Sequence, residues 1–372
     1  MKLRYLSFLI VLITMKTLGQ NKESAHLFNW SQAKQLPDPE GFAGLYAGTS
    51  NGVLLIAGGA NFPGGKRPWD NAEKKWYNSV YVLEKPGGTW REAGKLPRAM
   101  GYGVALTYKD DVLCIGGGDS RQNYNDAFIL KWTHGKTSIS YLPRLPAPIS
   151  NACGVIADGI VYIMGGIESP AGETMNNFWC LDLTAPAHSQ KWKVLPNLPG
   201  KSRMLATAGA CDGKVFLFGG VHLFNSGDGL KREYLKDCYV FTRGKGWNRI
   251  NDLPWSLAAT PSPAFPQSGK LLLFGGDDGA LASQVFTLKD KHPGFRNDIL
   301  AYSLSSGKWS EYDKIPVDKK ADSTTNPHNS TYAPVTTPLV IWHHKVVIAG
   351  GEARPGVRSN RVLIAEPLKE TD

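Results

Sequence analysis

Apolar runs recur along the chain, and six of them end in a glycine pair. They are Leu54-Leu55-Ile56-Ala57-Gly58-Gly59, Leu113-Cys114-Ile115-Gly116-Gly117-Gly118, Val161-Tyr162-Ile163-Met164-Gly165-Gly166, Val215-Phe216-Leu217-Phe218-Gly219-Gly220, Leu271-Leu272-Leu273-Phe274-Gly275-Gly276 and Val346-Val347-Ile348-Ala349-Gly350-Gly351. A short continuous apolar run closed by a turn signal reads as a strand buried on both faces. Glycine lets the backbone turn where a side chain would obstruct it. After each run the same order returns. A second apolar strand comes next, such as Val80-Tyr81-Val82-Leu83 or Phe178-Trp179-Cys180-Leu181, and then a tryptophan strand at Trp90, Trp132, Trp192, Trp247 or Trp309. Most units close on Leu96-Pro97, Leu145-Pro146, Leu198-Pro199, Leu253-Pro254 or Ile315-Pro316. This order predicts four short antiparallel strands per unit. One such sheet cannot bury both of its faces alone, so the units must stack around an axis.

The glycine pairs are spaced 59, 48, 54, 56 and 75 residues apart. A period near 50 with this signature is that of kelch propeller blades, so the fold class expected is all-β, a six-bladed β-propeller. The sixth unit has its second strand, Arg361-Val362-Leu363-Ile364-Ala365, and then runs out of chain before a tryptophan strand. Phe28-Asn29-Trp30 through Leu36-Pro37 is a tryptophan strand with its Leu-Pro and no glycines before it. The N-terminal strand is therefore expected to complete the last blade, which removes two exposed sheet edges. Residues 20–372 form one domain in this reading. Asn61 to Lys75, Phe224 to Lys236, Asp277 to Arg296 and Asp318 to Pro334 interrupt the pattern and read as long loops gathered over an axial pocket.

Composition adds constraints. The chain has 372 residues, 42% apolar and 20% charged, as in an ordinary folded domain. Residues 1–19 read as a cleaved secretory signal: Lys2 and Arg4 precede an apolar core from Tyr5 to Met15, and small residues surround Thr17 to Gly19. That core is short of the ~20 apolar residues of a spanning helix, so no membrane anchor is expected. The five cysteines are odd in number and hold no close pair, which favours buried free thiols. A net charge of +10 suits an anionic ligand, but the basic residues are spread along the chain, so nucleic acid is not the expected partner. The histidines match no zinc spacing, and no phosphate-binding glycine loop or nucleophile elbow is present. Neither a metal nor a cofactor is expected.

The last glycine pair differs from the others in the charge just downstream of it. Glu352, Arg354 and Arg358 lie within seven residues of Gly351. The segments after each Leu-Pro lead into the innermost strands and add Arg98, Ser150-Asn151, Arg203 and Thr260. Guanidinium groups bind carboxylates through paired hydrogen bonds. A glutamate held among them can serve as a general base, with its charged form favoured by the arginines. The plainer alternative is a set of surface salt bridges between loops, with Arg354 turned outward around Pro355-Gly356. Tyr102 and Trp255 fit a sugar-binding wall or core packing equally well.

The segments Gly350-Gly351-Glu352-Ala353-Arg354-Pro355-Gly356-Val357-Arg358, Gly41-Phe42-Ala43-Gly44 and Arg98-Ala99-Met100-Gly101-Tyr102-Gly103 resemble the sialic acid mutarotases, the N-acetylneuraminate epimerases of the bacterial periplasm. The best known members of that family begin at the blade that starts here near Leu145-Pro146-Ala147-Pro148, so the chain resembles a cyclically permuted branch. Permutation is tolerated in a ring because the same blades meet. The resemblance implies a periplasmic isomerase that interconverts the α and β anomers of N-acetylneuraminate without a cofactor. It implies Glu352 as proton acceptor and Arg358 as the partner of the sugar carboxylate, with Arg98, Arg203, Arg354 and Asn61 as further substrate contacts. A homodimer is the oligomer entertained. The competing reading is a non-catalytic kelch module that binds an acidic glycan or a protein, with a copper oxidase as a distant third.

Overall fold

A computed structural model of the protein describes residues 27–317 and 330–368; the secretory-signal expectation and most of the stretch from Asp318 to Pro334 lie outside the described residues. Each apolar run is the second strand of a four-stranded antiparallel sheet and is covered on both faces, which is why it shows no polar alternation. The blades, in chain order, are built on Val53–Ala57, Asp111–Ile115, Ile160–Met164, Lys214–Asn225, Lys270–Gly276 and Lys345–Ala349. Their innermost strands are Tyr46–Ser50, Val104–Tyr108, Cys153–Ala157, Thr207–Cys211, Phe265–Gln267 and Leu339–Trp342. The described residues thus form the expected six-bladed propeller. Phe28–Gln32 supplies the outer strand of blade VI, pairing with Val362–Pro367 from Phe28↔Pro367 to Gln32↔Leu363.

The core holds six apolar layers, one at each blade junction, and a smaller cluster around Ile167, Met204, Val221, Leu223 and Ala258. Between blades VI and I, for example, Val347, Ala349 and Ile364 pack on Leu54 and Ile56. The tryptophans fasten the junctions as well. Trp90 Nε1 donates to the Lys34 carbonyl at 2.8 Å and Trp192 Nε1 to the Pro143 carbonyl at 2.8 Å, each in the preceding blade. Trp132 departs from the expected pattern. It sits in the third strand of blade II, Ala127–Thr133, and the outer strand is Lys136–Tyr141.

The glycine pairs are places of close approach between blades. At Gly165 (φ 63°) an added Cβ would stand 2.2 Å from the carbonyl oxygen of Arg203 in the next blade, and the Gly166 N–H donates to that oxygen at 2.8 Å. In blade II the equivalent pair is Gly116 (φ 62°) and Gly117 (φ 102°), one residue earlier than the period alone indicated. Gly165→Ala is expected to destabilise the protein by about 1–3 kcal/mol through left-handed backbone strain, with the carbonyl contact adding to it. A denaturant midpoint equal to wild type would contradict this.

The axis is ringed by backbone. Gly44, Tyr102, Asn151, Leu205, Ala259 and Thr336, one from each blade, all have φ between 53° and 64°. The N–H of each donates to the carbonyl of the preceding member at 2.7 to 2.8 Å, and Gly44 N–H to Thr336 O closes the circle. Five of the six are not glycine, so the strain of the left-handed conformation is held by this closed ring of bonds.

Candidate active site

A second circle of residues surrounds the first. The residue after each glycine pair bridges to the residue before a ring member: Ala60 to Ala43, Gly118 to Gly101, Ile167 to Ser150, Val221 to Met204, Asp277 to Ala258 and Glu352 to Val335. Blades I to IV carry small or apolar residues there. Blades V and VI carry carboxylic acids side by side.

Glu352 opens a two-strand turn, Glu352–Arg354 against Val357–Arg358, with Gly356 at φ 76°. Glu352 and Arg358 are cross-strand partners, and Arg358 Nη1 lies 2.7 Å from Glu352 Oε1. The approach is off the line of a hydrogen bond, so Nη1 makes no aligned bond. The same carboxylate oxygen accepts the Gly356 N–H at 2.7 Å. Arg358 is 4% exposed against 22% for Glu352, so the carboxylate is the more open of the two. The guanidinium donates through Nε to the Ala60 carbonyl at 3.3 Å and stacks 5.1 Å from the Phe62 ring. Burial opposes its charge, but Glu352 and Tyr102 outweigh that and raise its pKa further. It is a fixed cation in a poorly hydrated place, where its pull on an anion is strong.

Tyr102, which acts on Arg358, also faces open space. It lines an axial cavity of about 80 Å³ together with Asn151, Thr260 and Thr336. It also lines an adjoining pocket of about 300 Å³ with Lys74, Trp76, Asn123, Asn151 and Arg232. That volume is at the lower end of the roughly 300–1,000 Å³ of small-molecule pockets. The Lys74 ammonium is 5.1, 5.4 and 5.8 Å from the rings of Tyr102, Trp76 and Phe62. Cations, aromatic faces, amides and the Asp119 carboxylate surround this one concavity.

Three of the loop excursions reach the surroundings of the carboxylates. Asn61 to Lys75 brings Phe62, Arg67 and Lys74. Phe224 to Lys236 is a continuation of the central hairpin of blade IV, paired out to Asn225↔Leu230 and so not an irregular loop. It carries Tyr234, whose hydroxyl donates to Asp277 Oδ2 at 2.7 Å, and Gly279 N–H donates to Oδ1 at 3.0 Å. Burial raises the Asp277 pKa, with Asp278 and Glu352 adding to it against those two hydrogen bonds. Asp277 to Arg296 holds short helical turns, Asp290 and His292. Burial lowers the His292 pKa, with Arg354 acting the same way and Asp277 and Glu352 the other.

The other candidates have partners of their own. Arg354 is fully buried, not turned outward, and lies 2.7 Å from Asp290, which Arg67 also approaches at 3.2 Å. Burial works against the charge of Asp290, but the two guanidiniums outweigh it and hold its pKa below the usual carboxylate value. This knot ties three blades together beside Glu352. Arg203, 1% exposed, is bound to Asp237 at 3.0 and 2.7 Å and to the Gly219 carbonyl at 2.9 Å. Asn61 is buried, donates to Asp38 and to the Gly41 carbonyl, and accepts from the Tyr77 hydroxyl. Arg98 pairs with Asp126 at 3.1 Å over the Tyr124 ring. The geometry therefore brings Glu352, Arg358 and Arg354 together and engages Arg98, Arg203 and Asn61 in contacts elsewhere. Trp255 stacks under Arg296 at 3.8 Å.

Sequence reasoning misses Asp277, although it stands after a glycine pair as Glu352 does. Cys114, Cys153, Cys180 and Cys238 are buried and Cys211 half-buried, all as free thiols. Among the described residues, no group of three or more His, Cys, Asp or Glu is placed to hold a metal, and no helix is long and apolar enough to cross a membrane.

Comparison with known proteins agrees with the motif resemblance. Residues 13–139 match the family model described as N-acetylneuraminate epimerase, and residues 148–199 match the Kelch motif. The N-acetylneuraminate epimerase of Salmonella enteritidis PT4 is 41% identical over 106 residues, 25% of this chain and 27% of that protein. That of Haemophilus influenzae PittEE is 39% identical over 111 residues, 26% of this chain and 29% of that protein. The aligned part thus spans just over a quarter of these curated relatives. A solved structure titled "Structure of YjhT" superposes with a TM-score of 0.63 at 15% identity, covering 92% of this chain and 99% of that one. It shares the fold.

Proposed function

We propose that the protein is a sialic acid mutarotase, an isomerase that interconverts the α and β anomers of N-acetylneuraminate. The observation that carries the reading is the Glu352–Arg358 pair, a half-open carboxylate 2.7 Å from a buried guanidinium at the mouth of the propeller axis. The similarity of residues 13–139 to the epimerase family supports it. In this mechanism Arg358 takes the sugar carboxylate, and Lys74 and the aromatic residues beside it hold the body of the sugar. Glu352 removes the proton of the anomeric hydroxyl. The ring opens to the keto form as the ring oxygen is protonated, the carbonyl turns its other face, and the ring recloses. The Arg354–Asp290–Arg67 knot holds the turn that carries Glu352. We place the protein in the periplasm, on the strength of the N-terminal apolar stretch.

The test is proton NMR of freshly released α-N-acetylneuraminate with and without the purified protein. The proposal expects a faster approach to the anomeric equilibrium. Saturable binding with the spontaneous rate unchanged would instead make this a non-catalytic glycan-binding propeller. Arg358→Lys keeps the charge but loses the planar fork, and is expected to raise KM about tenfold or more with a smaller change in kcat. An unchanged KM would remove Arg358 from carboxylate recognition.

A further inference from the structure

We propose that Asp277 is the acid that protonates the ring oxygen, acting across from Glu352; this rests on the mutarotase reading above. The fold supplies the geometry. Asp277 and Glu352 occupy the same position of neighbouring blades, each coming directly after its glycine pair and each bridged to the residue before a ring member. Those ring members, Ala259 and Thr336, are joined directly by the Thr336 N–H to Ala259 carbonyl bond of 2.8 Å. The other four equivalent positions, Ala60, Gly118, Ile167 and Val221, bear no proton-transfer group. The rim therefore offers one pair of adjacent carboxyl groups, and they are unlike.

Glu352 has a side chain 22% exposed and accepts the Gly356 N–H of a guanidinium-bearing turn. Asp277 is held by Tyr234 and Gly279, and its pKa is raised, chiefly by burial. The charged and titratable groups that act on it come from every neighbouring element: Tyr234 from blade IV, Asp278 beside it, Glu352 from blade VI, and His292, whose own pKa responds to Asp277. A carboxyl group whose surroundings favour its neutral form, beside a second carboxyl group, is placed to act as a general acid.

The step balances with these two groups alone. The Asp277 O–H gives its proton to the ring oxygen as the bond from that oxygen to the anomeric carbon breaks. Glu352 takes the anomeric hydroxyl proton, and the electron pair of that O–H bond becomes the second bond of the carbonyl. After the carbonyl turns, the released hydroxyl attacks its other face. Its proton returns to Asp277 while Glu352 gives its proton to the new anomeric oxygen. Both residues end as they began. Tyr234 is a positioning residue that fixes Asp277 and favours its charged form.

The experiment is the NMR anomer-exchange rate across pH for wild type, Asp277→Asn, Tyr234→Phe and Glu352→Gln, with melting curves and substrate binding as checks of fold. Asp277→Asn is expected to lower kcat about 10²- to 10⁴-fold with KM little changed. It should also lose the fall in rate that an acid produces as pH rises through its pKa. Tyr234→Phe removes a bond that favours ionised Asp277, so that falling limb is expected to move to higher pH. A folded Asp277→Asn enzyme with the wild-type rate, or with the falling limb intact, overturns the assignment and leaves the mutarotase standing. If Asp277→Asn does not fold, an unmoved limb in Tyr234→Phe overturns it. A wild-type protein that does not accelerate exchange removes the premise instead.

Discussion

Glu352→Gln is expected to slow anomer exchange by about 10²- to 10⁴-fold, the usual contribution of a general base. The amide keeps the size of the side chain and an oxygen to accept the Gly356 N–H, so the turn should survive. What it loses is proton affinity, and with it the negative partner of Arg358. The guanidinium is 4% exposed and cannot exchange that partner for bulk water. An unpaired buried cation binds an added anion more readily, so KM is expected to stay level or fall while kcat drops. This combination separates a lost base from a damaged pocket, in which KM rises. Steady-state kinetics by NMR or polarimetry reads both constants, and a variant that keeps kcat removes Glu352 from the chemistry.

The largest effect on stability is expected at Asp237. Its carboxylate forms a forked pair with Arg203, which is 1% exposed, and the Arg203 carbonyl in turn receives the glycine pair of blade III. Asp237→Ala leaves that guanidinium buried without its counter-ion, a loss of about 3–5 kcal/mol. Burial alone would raise the Asp237 pKa, but the Arg203 contacts outweigh it and the value is lowered. A depressed folded-state pKa contributes stability that is present above the unfolded value, about 3.9. That stability is lost as pH falls through the lower folded value. Wild type should therefore lose stability below about pH 4 more steeply than Asp237→Ala. Chemical denaturation at neutral and acid pH measures both, and equal midpoints for the two proteins at neutral pH would contradict this role of the ion pair.

Most of the scaffold was legible because it repeats. Five of the six glycine pairs mark a blade junction where the neighbouring blade's carbonyl comes too close for a Cβ, and the N-terminal Trp30 strand fits the gap left in blade VI by simple subtraction. Trp132 was misplaced by one strand because an aromatic residue packs equally well in the third strand. The candidate site was legible only where charge clustered in sequence, at Glu352 and Arg358. Arg203 resembles a site arginine in a linear reading. Its place in the repeat, however, is that of Met100, Ile149 and Leu257, whose carbonyls also receive the second glycine of a pair. That position is buried between blades, so the charge is met internally. Asp277 was the opposite case. Its equivalence to Glu352 was written in the repeat, but Tyr234, which gives it meaning, comes from another blade's hairpin.

The central claim is catalysis of anomer exchange at Glu352, and exchange spectroscopy on an equilibrated mixture of N-acetylneuraminate anomers tests it most directly. At equilibrium no net reaction occurs, so cross-peaks between the α and β signals report the interconversion rate itself. Wild-type protein is expected to give cross-peaks that grow with its concentration and that are absent, at the same concentration, with Glu352→Gln. Cross-peaks equal in both samples, or no stronger than those of the free sugar, would contradict it.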